Sequence, residues 1–228
     1  MEPSAFFTAE FFEFLTELRT HNEREWFERN KPRYEATVRE PFLRLIAALR
    51  IPLRKISPHI VVDPRPVGGS MMRIYRDIRF SHDKRPYKTA VAAHFRMVRD
   101  KEEVAPAYYL HLEPGHSMIG SGLWRPPAEA LRGIRDAIVA DPKSWQNITN
   151  GADFRSSCGM AGESLKRAPA GYDPKHPLID DLKRKDFTTG VTLTDRQVCE
   201  PGLLDTVVNG FRATAPFVEF LSMAVRRK

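Results

Sequence analysis

Apolar residues at steps of three and four open the chain. Phe11, Phe12, Leu15 and Leu18 follow Thr8, whose side chain suits an N-cap, and this spacing predicts a short amphipathic helix. In the next stretch, HNEREWFERNKPRYE, Asn22 stands three residues before Glu25, the capping-box pattern for a second helix. Asn30 and Pro32 read as a restart, because proline is tolerated in a first helical turn. From Tyr34 the positions Val38, Phe42, Leu45, Leu49 and Leu53 keep the helical step through Pro41, which predicts one kinked helix with a continuous buried face. Trp26, Phe27 and Tyr34 belong to helix packing.

After Pro52 the pattern changes to short β-prone runs between turn residues: HIVV, MMRIYRDI, TAVAAHFRMV, AYYLHLE and MIGSGLW. No helical crossover separates the last three, so the sheet is expected to be largely antiparallel. Pairing TAVAAHFRMV with AYYLHLE puts Val91, Ala93, Phe95 and Met97 on one face with Tyr108, Leu110 and Leu112. The opposite face carries His94, Arg96, Tyr109, His111 and Glu113, and a symmetric loop would set His94 nearly opposite His111. Such a polar face is either a site or a solvated side of the sheet. Gly115, Gly120 and Gly122 mark a bulge or a close approach of backbone or ligand.

Pro126 and Pro127 open a helix through about Val139, with Leu131, Ile134 and Ile138 buried. A proline-punctuated ordered loop follows, with a short helix from about Pro177 to Lys185 and a mixed-charge surface made of Lys166, Arg167, Lys175, Lys183, Arg184, Lys185 and interspersed aspartates. TTGVTLTD reads as an edge strand, and the tail from Pro201 as a helix kinked at Pro216. Helices bracketing a block of strands indicate an α+β fold: a largely antiparallel sheet of about five or more strands flanked by N-terminal and C-terminal helices. A single domain over 1–228 is expected, with a helical segment 1–54, the sheet over 59–124, and helices, loop and edge strand over 125–228.

Composition adds bounds rather than a function. The 228 residues are 42% hydrophobic and 29% charged, ordinary for a globular domain. The N-terminal stretch carries Glu2, Glu10, Glu13 and Glu17 and has no basic n-region, and no apolar run approaches a membrane span, so a cytoplasmic protein without membrane association is expected. Cys158 and Cys199 form no C-x-x-C pair, and no local His spacing supports a metal site. Neither a cofactor nor an oligomeric state is indicated. A net charge of +7 favours an anionic partner by long-range attraction.

That charge has one concentrated expression. RIYRDIRFSHDKRPYKT, from Arg73 to Thr89, sets six basic side chains (Arg73, Arg76, Arg79, Lys84, Arg85, Lys88) among two acids, Asp77 and Asp83. Strand alternation would put Arg73, Tyr75, Asp77 and Arg79 on one side and Met72, Ile74, Arg76 and Ile78 on the other. In one reading the two aspartates pair with neighbouring arginines and fix a bend. In the other, Arg73, Arg79, Lys84 and Lys88 converge on an anion, with Ser81 and Tyr87 as neutral donors, and Arg76, Asp77 and Asp83 are counted with them as candidate ligand-binding residues. The partner is then a phosphorylated small molecule or a nucleic acid. An enzyme is the alternative, with His94 or His111 as general acid or base and Glu113 orienting a ring. P-loop and nucleophile-elbow patterns are absent.

The blocks HNEREWFERNKPRYE, RIYRDIRFSHDKRPYKT, YYLHLEPGHSMIGSGLW and LKRAPAGYDPKHP together resemble an uncharacterised family, domain of unknown function 2461, over most of the chain. Ile78, His82 and Arg85 stand where this family is expected to carry Thr, Lys and Thr, and His21 where Asn is expected. These departures argue against a family-wide role for His82 or Arg85. The resemblance implies a soluble α+β domain and no reaction.

Overall fold

The apolar steps at the N-terminus form α1 (Ala9–Thr20), which buries Phe11, Phe12, Phe14, Leu15 and Leu18 and begins after Thr8 in extended conformation. A computed structural model describes residues 4–98, 104–157 and 159–226. In it α2 (Arg24–Tyr34) runs without a restart through Pro32 into a π-helical turn (Glu35–Arg39) and on into α3 (Glu40–Ile56). Proline's ring and missing N–H disturb an α-helical ladder, and the π turn immediately precedes Pro41, so the predicted kink takes this form. Arg33 bridges to α1 with two bonds to Glu17, at 2.7 and 3.0 Å.

Among the described residues five strands form one antiparallel sheet: β1 (Val91–Arg96), β2 (Ala107–Leu112), β3 (Ser117–Leu123), β4 (Gly159–Ala161) and β5 (Phe187–Leu193), in the order β1-β2-β3-β5-β4. The α+β fold follows as expected, with helices at both ends of the chain. Hairpin parity holds, since Val91, Ala93, Phe95, Met97, Tyr108, Leu110 and Leu112 are all buried. The Met97 N–H donates to the Pro106 carbonyl at 2.9 Å, a register that sets His94 across from Tyr109 and His111 across from Ala92. The expected His94–His111 pairing is therefore displaced by one pair along the face.

Three strand expectations change. TTGVTLTD supplies β5, which is internal, and the edge is β4, whose residues 159, 160 and 161 pair with 190, 189 and 188. Three residues are too few to show a period of two. HIVV is not a strand, and neither is MMRIYRDI, which pairs only through single bridges, Met71 with Ala93 and Tyr75 with Tyr87. Four steps separate Met71 from Tyr75 but six separate Tyr87 from Ala93, so no continuous ladder can join the two bridges. The two extra residues fall at Thr89 and Ala90, which bulge.

The chain divides into two compact units: 1–95, 109–119 and 192–209, and 96–108, 120–191 and 210–228. In the first, the helices bury Phe11, Phe14, Phe42 and Leu49, and the short α8 (Asp195–Val198) starts at a capping box of Thr194 and Gln197. α9 (Leu203–Ala213) begins in this unit and ends in the second.

The second unit holds α4 (Ala128–Ala140), α5 (Pro142–Thr149), α6 (Ala152–Ser157), α7 (Ile179–Leu182) and α10 (Ala215–Val225). α4 and α10 pack closely: a Cβ on Gly133 would stand 2.7 Å from the Ala224 carbonyl oxygen. Gly122, at φ +118°, lets the Phe187 carbonyl approach the β3 backbone, the close contact its glycine predicts. The tail does not kink at Pro216. It stops at Thr214 and restarts, with Pro216 in the first turn of α10. The 163–186 charges pair locally, Lys183 with Asp180, Arg184 with Asp181 and Lys185 with Glu163, as a mixed-charge surface should. No helix among the described residues is long and apolar enough to cross a membrane.

The contact that seats the basic motif is one that the capping-box pattern misassigns. The N-cap of α2 is Glu23, not Asn22. Asn22 is buried and its amide spans the backbone of Tyr87, donating to the carbonyl at 3.1 Å and accepting from the N–H at 3.0 Å. The Tyr87 ring stacks on Phe27 of α2 at 4.2 Å between centroids. Truncation in Asn22→Ala leaves a buried donor and a buried acceptor without partners, each costing about 1–3 kcal/mol. The expected loss is about 2–6 kcal/mol in urea denaturation, and Asn22→Asp does not rescue it, because a buried carboxylate oxygen would face the Tyr87 carbonyl.

Candidate functional site

The sequence Asp-x-Arg occurs twice in the motif and forms the same local unit each time. Asp77 accepts from the Arg79 backbone N–H at 3.3 Å and from its guanidinium at 2.9 and 2.7 Å. Asp83 does the same with Arg85, at 3.1 Å for the backbone and 2.7 Å for Nη2. Upstream, Asp63 and Arg65 repeat it. An aspartate that caps the N–H two residues on makes a tight turn, and the arginine closes it as a charge-assisted fork.

These turns commit only part of the charge. Arg76 adds a 2.7 Å ion pair to Asp83, so two carboxylates hold three guanidiniums. Lys84 donates to the Ile78 carbonyl at 3.0 Å and Lys88 to the Arg73 carbonyl at 2.8 Å. The Arg73 guanidinium makes no hydrogen bond or ion pair to the described residues, its carbonyl alone being engaged. Hydrogen bonds from Arg85, reinforced by Arg76, hold the Asp83 carboxyl well below the usual carboxylate range. Its depressed pKa means that the stabilising contribution is complete above the ordinary carboxylate pKa and is lost only as pH falls through the lower folded-state value. Burial, with a smaller contribution from Arg73, pushes the Lys88 ammonium below the ordinary lysine value.

A cavity of about 250 Å³ gathers the C-terminal half of the motif against the hairpin. Its walls are Arg76, Asp83, Arg85, Tyr87, Lys88, the bulged Thr89 and Ala90, and His111. Several donors on these walls have no acceptor among the described residues: Nε and Nη2 of Arg76, Nη1 of Arg85, and the backbone N–H groups of Thr89 and Ala90. The bulge is responsible for the last two, because it takes them out of any ladder.

Behind the cavity runs a hydrogen-bonded chain. Tyr109 Oη lies 3.1 Å from His111 Nδ1, His111 Nε2 lies 3.1 Å from Glu113 Oε2, and the Thr89 hydroxyl donates to Glu113 Oε1 at 3.0 Å. A carboxylate only accepts, so Nε2–H donates to Glu113, and Nδ1 pairs with the tyrosine hydroxyl, which can donate or accept. Both ring nitrogens of His111 are thus engaged by protein, and its lone pair is not presented to a ligand.

The predicted residues separate accordingly. Arg76, Asp83, Tyr87, Lys88 and His111 meet at the cavity, and Glu113 stands one bond behind it. Arg73, Asp77, Arg79, Ser81, Lys84 and His94 do not line it. Burial alternates from Ile74 to Arg79 although no strand forms, leaving Arg73, Tyr75, Asp77 and Arg79 on the exposed side. Parity places Tyr109 on the polar face but without a partner; Thr89 and Ala90 were missed as lining residues because a bulge leaves no periodic trace, and Arg85 because it departs from the family pattern. Among the described residues no cluster of His, Cys, Asp or Glu could hold a metal. A larger cavity, about 620 Å³, lies along α1 between Phe12, Glu13 and Glu17 and the Asp195–Cys199 segment, and it contains none of these residues.

Two of the four blocks that carry the resemblance, RIYRDIRFSHDKRPYKT and YYLHLEPGHSMIGSGLW, supply every wall of this cavity except Ala90. A family described as conserved hypothetical protein (DUF2461) matches residues 10–220. The chain belongs to the DUF2461 family. Neither a curated protein nor a solved structure matches it. In this DUF2461 protein the two Asp-x-Arg units of the motif differ in reach. Asp77 and Arg79 form an exposed pair outside the cavity, whereas Asp83 also anchors Arg76. Asp77→Asn should leave the urea midpoint unchanged. Asp83→Asn should release Arg76 and Arg85 and speed tryptic cleavage within residues 76–84, followed by mass spectrometry.

Proposed function

We propose that this protein is a binding module for a phosphorylated small molecule, whose phosphoryl group occupies the cavity lined by Arg76, Arg85, Lys88, Thr89 and His111. The observation that carries this reading is the set of uncommitted donors on the cavity wall: guanidinium N–H groups of Arg76 and Arg85, the remaining protons of Lys88 and two bulged backbone N–H groups. Three cationic side chains face one carboxylate there. Arginine forks and unpaired backbone N–H groups are the donors that phosphate oxygens select. The cavity volume of about 250 Å³ suits a single phosphoryl group better than a tracked polymer backbone.

Lys88 supports the same reading. A partly buried ammonium beside Arg73 is electrostatically unfavourable without a counter-ion, and an anion would restore its charged form. Catalysis by His111 is the weaker reading, since its engaged nitrogens make it a support for Thr89 and Glu113 rather than a base aimed at a ligand.

Calorimetric or NMR titration with inorganic phosphate tests the module. Lys88→Met should weaken binding at least tenfold while leaving thermal stability equal or higher, because it removes a desolvated charge. Arg73→Ala should change little. If Arg73 and Lys84 count as much as Lys88, and an oligonucleotide competes with a steep salt dependence, the partner is nucleic acid instead. With sulfate, whose charge is constant over the range, affinity should fall as pH rises, beginning below the ordinary lysine pKa of 10.5 because the Lys88 value is depressed.

A further inference from the structure

Beside the phosphate-sized cavity lies a second one of about 340 Å³, and the two share Arg76 and Tyr87 as walls. Its chemistry is different. Tyr75, Ile78 and Pro86 supply flat and apolar surface, while Arg24 and Glu28 stand at i and i+4 on α2 and so present from one helix face. Tyr75 is 49% exposed, with its ring tilted 47° to Tyr87 at 5.5 Å between centroids, so half of a large aromatic surface is left uncovered. The Tyr87 hydroxyl is pushed up by burial first, then by Tyr75 and Glu28, with Arg24 opposing, which brings these four side chains to one locality.

We infer that the occupant is a nucleoside monophosphate: its phosphoryl group sits among Arg85, Lys88 and the Thr89–Ala90 bulge, and its base stacks on Tyr75 in the adjoining cavity. This rests on the anion-site reading above and names its ligand. Arg76 is the hinge between the two halves. Its Nη1 is committed to Asp83 and the Arg85 carbonyl, at 2.7 and 3.2 Å, which fixes the guanidinium between the cavities with Nε and Nη2 uncommitted. A sugar phosphate would leave the Tyr75, Ile78 and Pro86 surface bare. A planar ring covers it, and stacking on an aromatic side chain is tolerant of base identity. Glu28 is an acceptor for ring or exocyclic N–H groups, and its charge disfavours a second phosphate at that end.

Calorimetry with inorganic phosphate, ribose 5-phosphate, AMP, GMP and UMP tests this on the full chain. At least one nucleotide should bind about tenfold tighter than ribose 5-phosphate, the affinity worth of one base–aromatic stack. Tyr75→Ala should abolish that margin and leave ribose 5-phosphate affinity unchanged. Tyr75→Leu, which keeps apolar bulk but lacks the ring face, carries the same test if the alanine variant does not fold. Equal affinity for ribose 5-phosphate and all three nucleotides, or a margin that survives loss of the ring, overturns the inference. In that case phosphate binding that depends on Lys88 leaves the anion site standing, whereas no binding of phosphate or ribose 5-phosphate ends both.

Discussion

A single side-chain amide holds the basic motif in its conformation. Asn22 takes both backbone groups of Tyr87, 65 residues away, as a neighbouring strand would. Tyr87 is bridged to Tyr75 through its flanking residues, Arg76 donating to the Pro86 carbonyl and Lys88 to the Ile74 carbonyl. One edge of the Tyr87 backbone is therefore occupied by the Tyr75 segment and the other by Asn22. With Tyr87 pinned on both edges and Ala93 pinned to Met71, the two surplus residues have nowhere to go but outward. The bulge that lines the cavity follows from the clamp.

Much of this architecture was legible before any coordinates. The helical stripe of α1, the continuous face through Pro41 and the parity of the β1–β2 hairpin are carried by periods of 3.6 and 2 that apolar burial enforces locally. What was not legible is what depends on distant pairing. Asn22 followed by Glu25 has the form of a capping box, yet Asn22 turns away from the helix because Tyr87 presents two buried backbone groups and Glu23 already stands at the cap. MMRIYRDI has strand composition and an alternation of burial, and still fails as a strand because its partner is two residues too long. β4 is too short to carry any pattern.

The charged motif divides along the same line. Its Asp-x-Arg turns are local and could be read from spacing alone, since the carboxylate reaches the N–H and guanidinium two residues on without help from the rest of the fold. The meeting of Arg76, Lys88 and His111 could not, because it requires the hairpin register and the bulge together. Both initial readings of the motif are thus partly realised: the exposed Asp77–Arg79 unit is a closed structural turn, and the half facing the hairpin is left open.

That openness is the argument for function. A purely structural ion network would be expected to close its charges, and three arginines here do so on two aspartates. Lys88 does not. It is partly desolvated, repelled by Arg73, and among the described residues bonded only to the Arg73 carbonyl, while the carboxylate that shares its cavity, Asp83, is already shared by two arginines. Local sequence rules would place a smaller or neutral residue at such a position, and conflict of this kind concentrates where a ligand resolves it. The Tyr109–His111–Glu113–Thr89 chain ties the Thr89 side of the bulge to the β2 strand through three consecutive hydrogen bonds, which limits the bulge's freedom to rearrange.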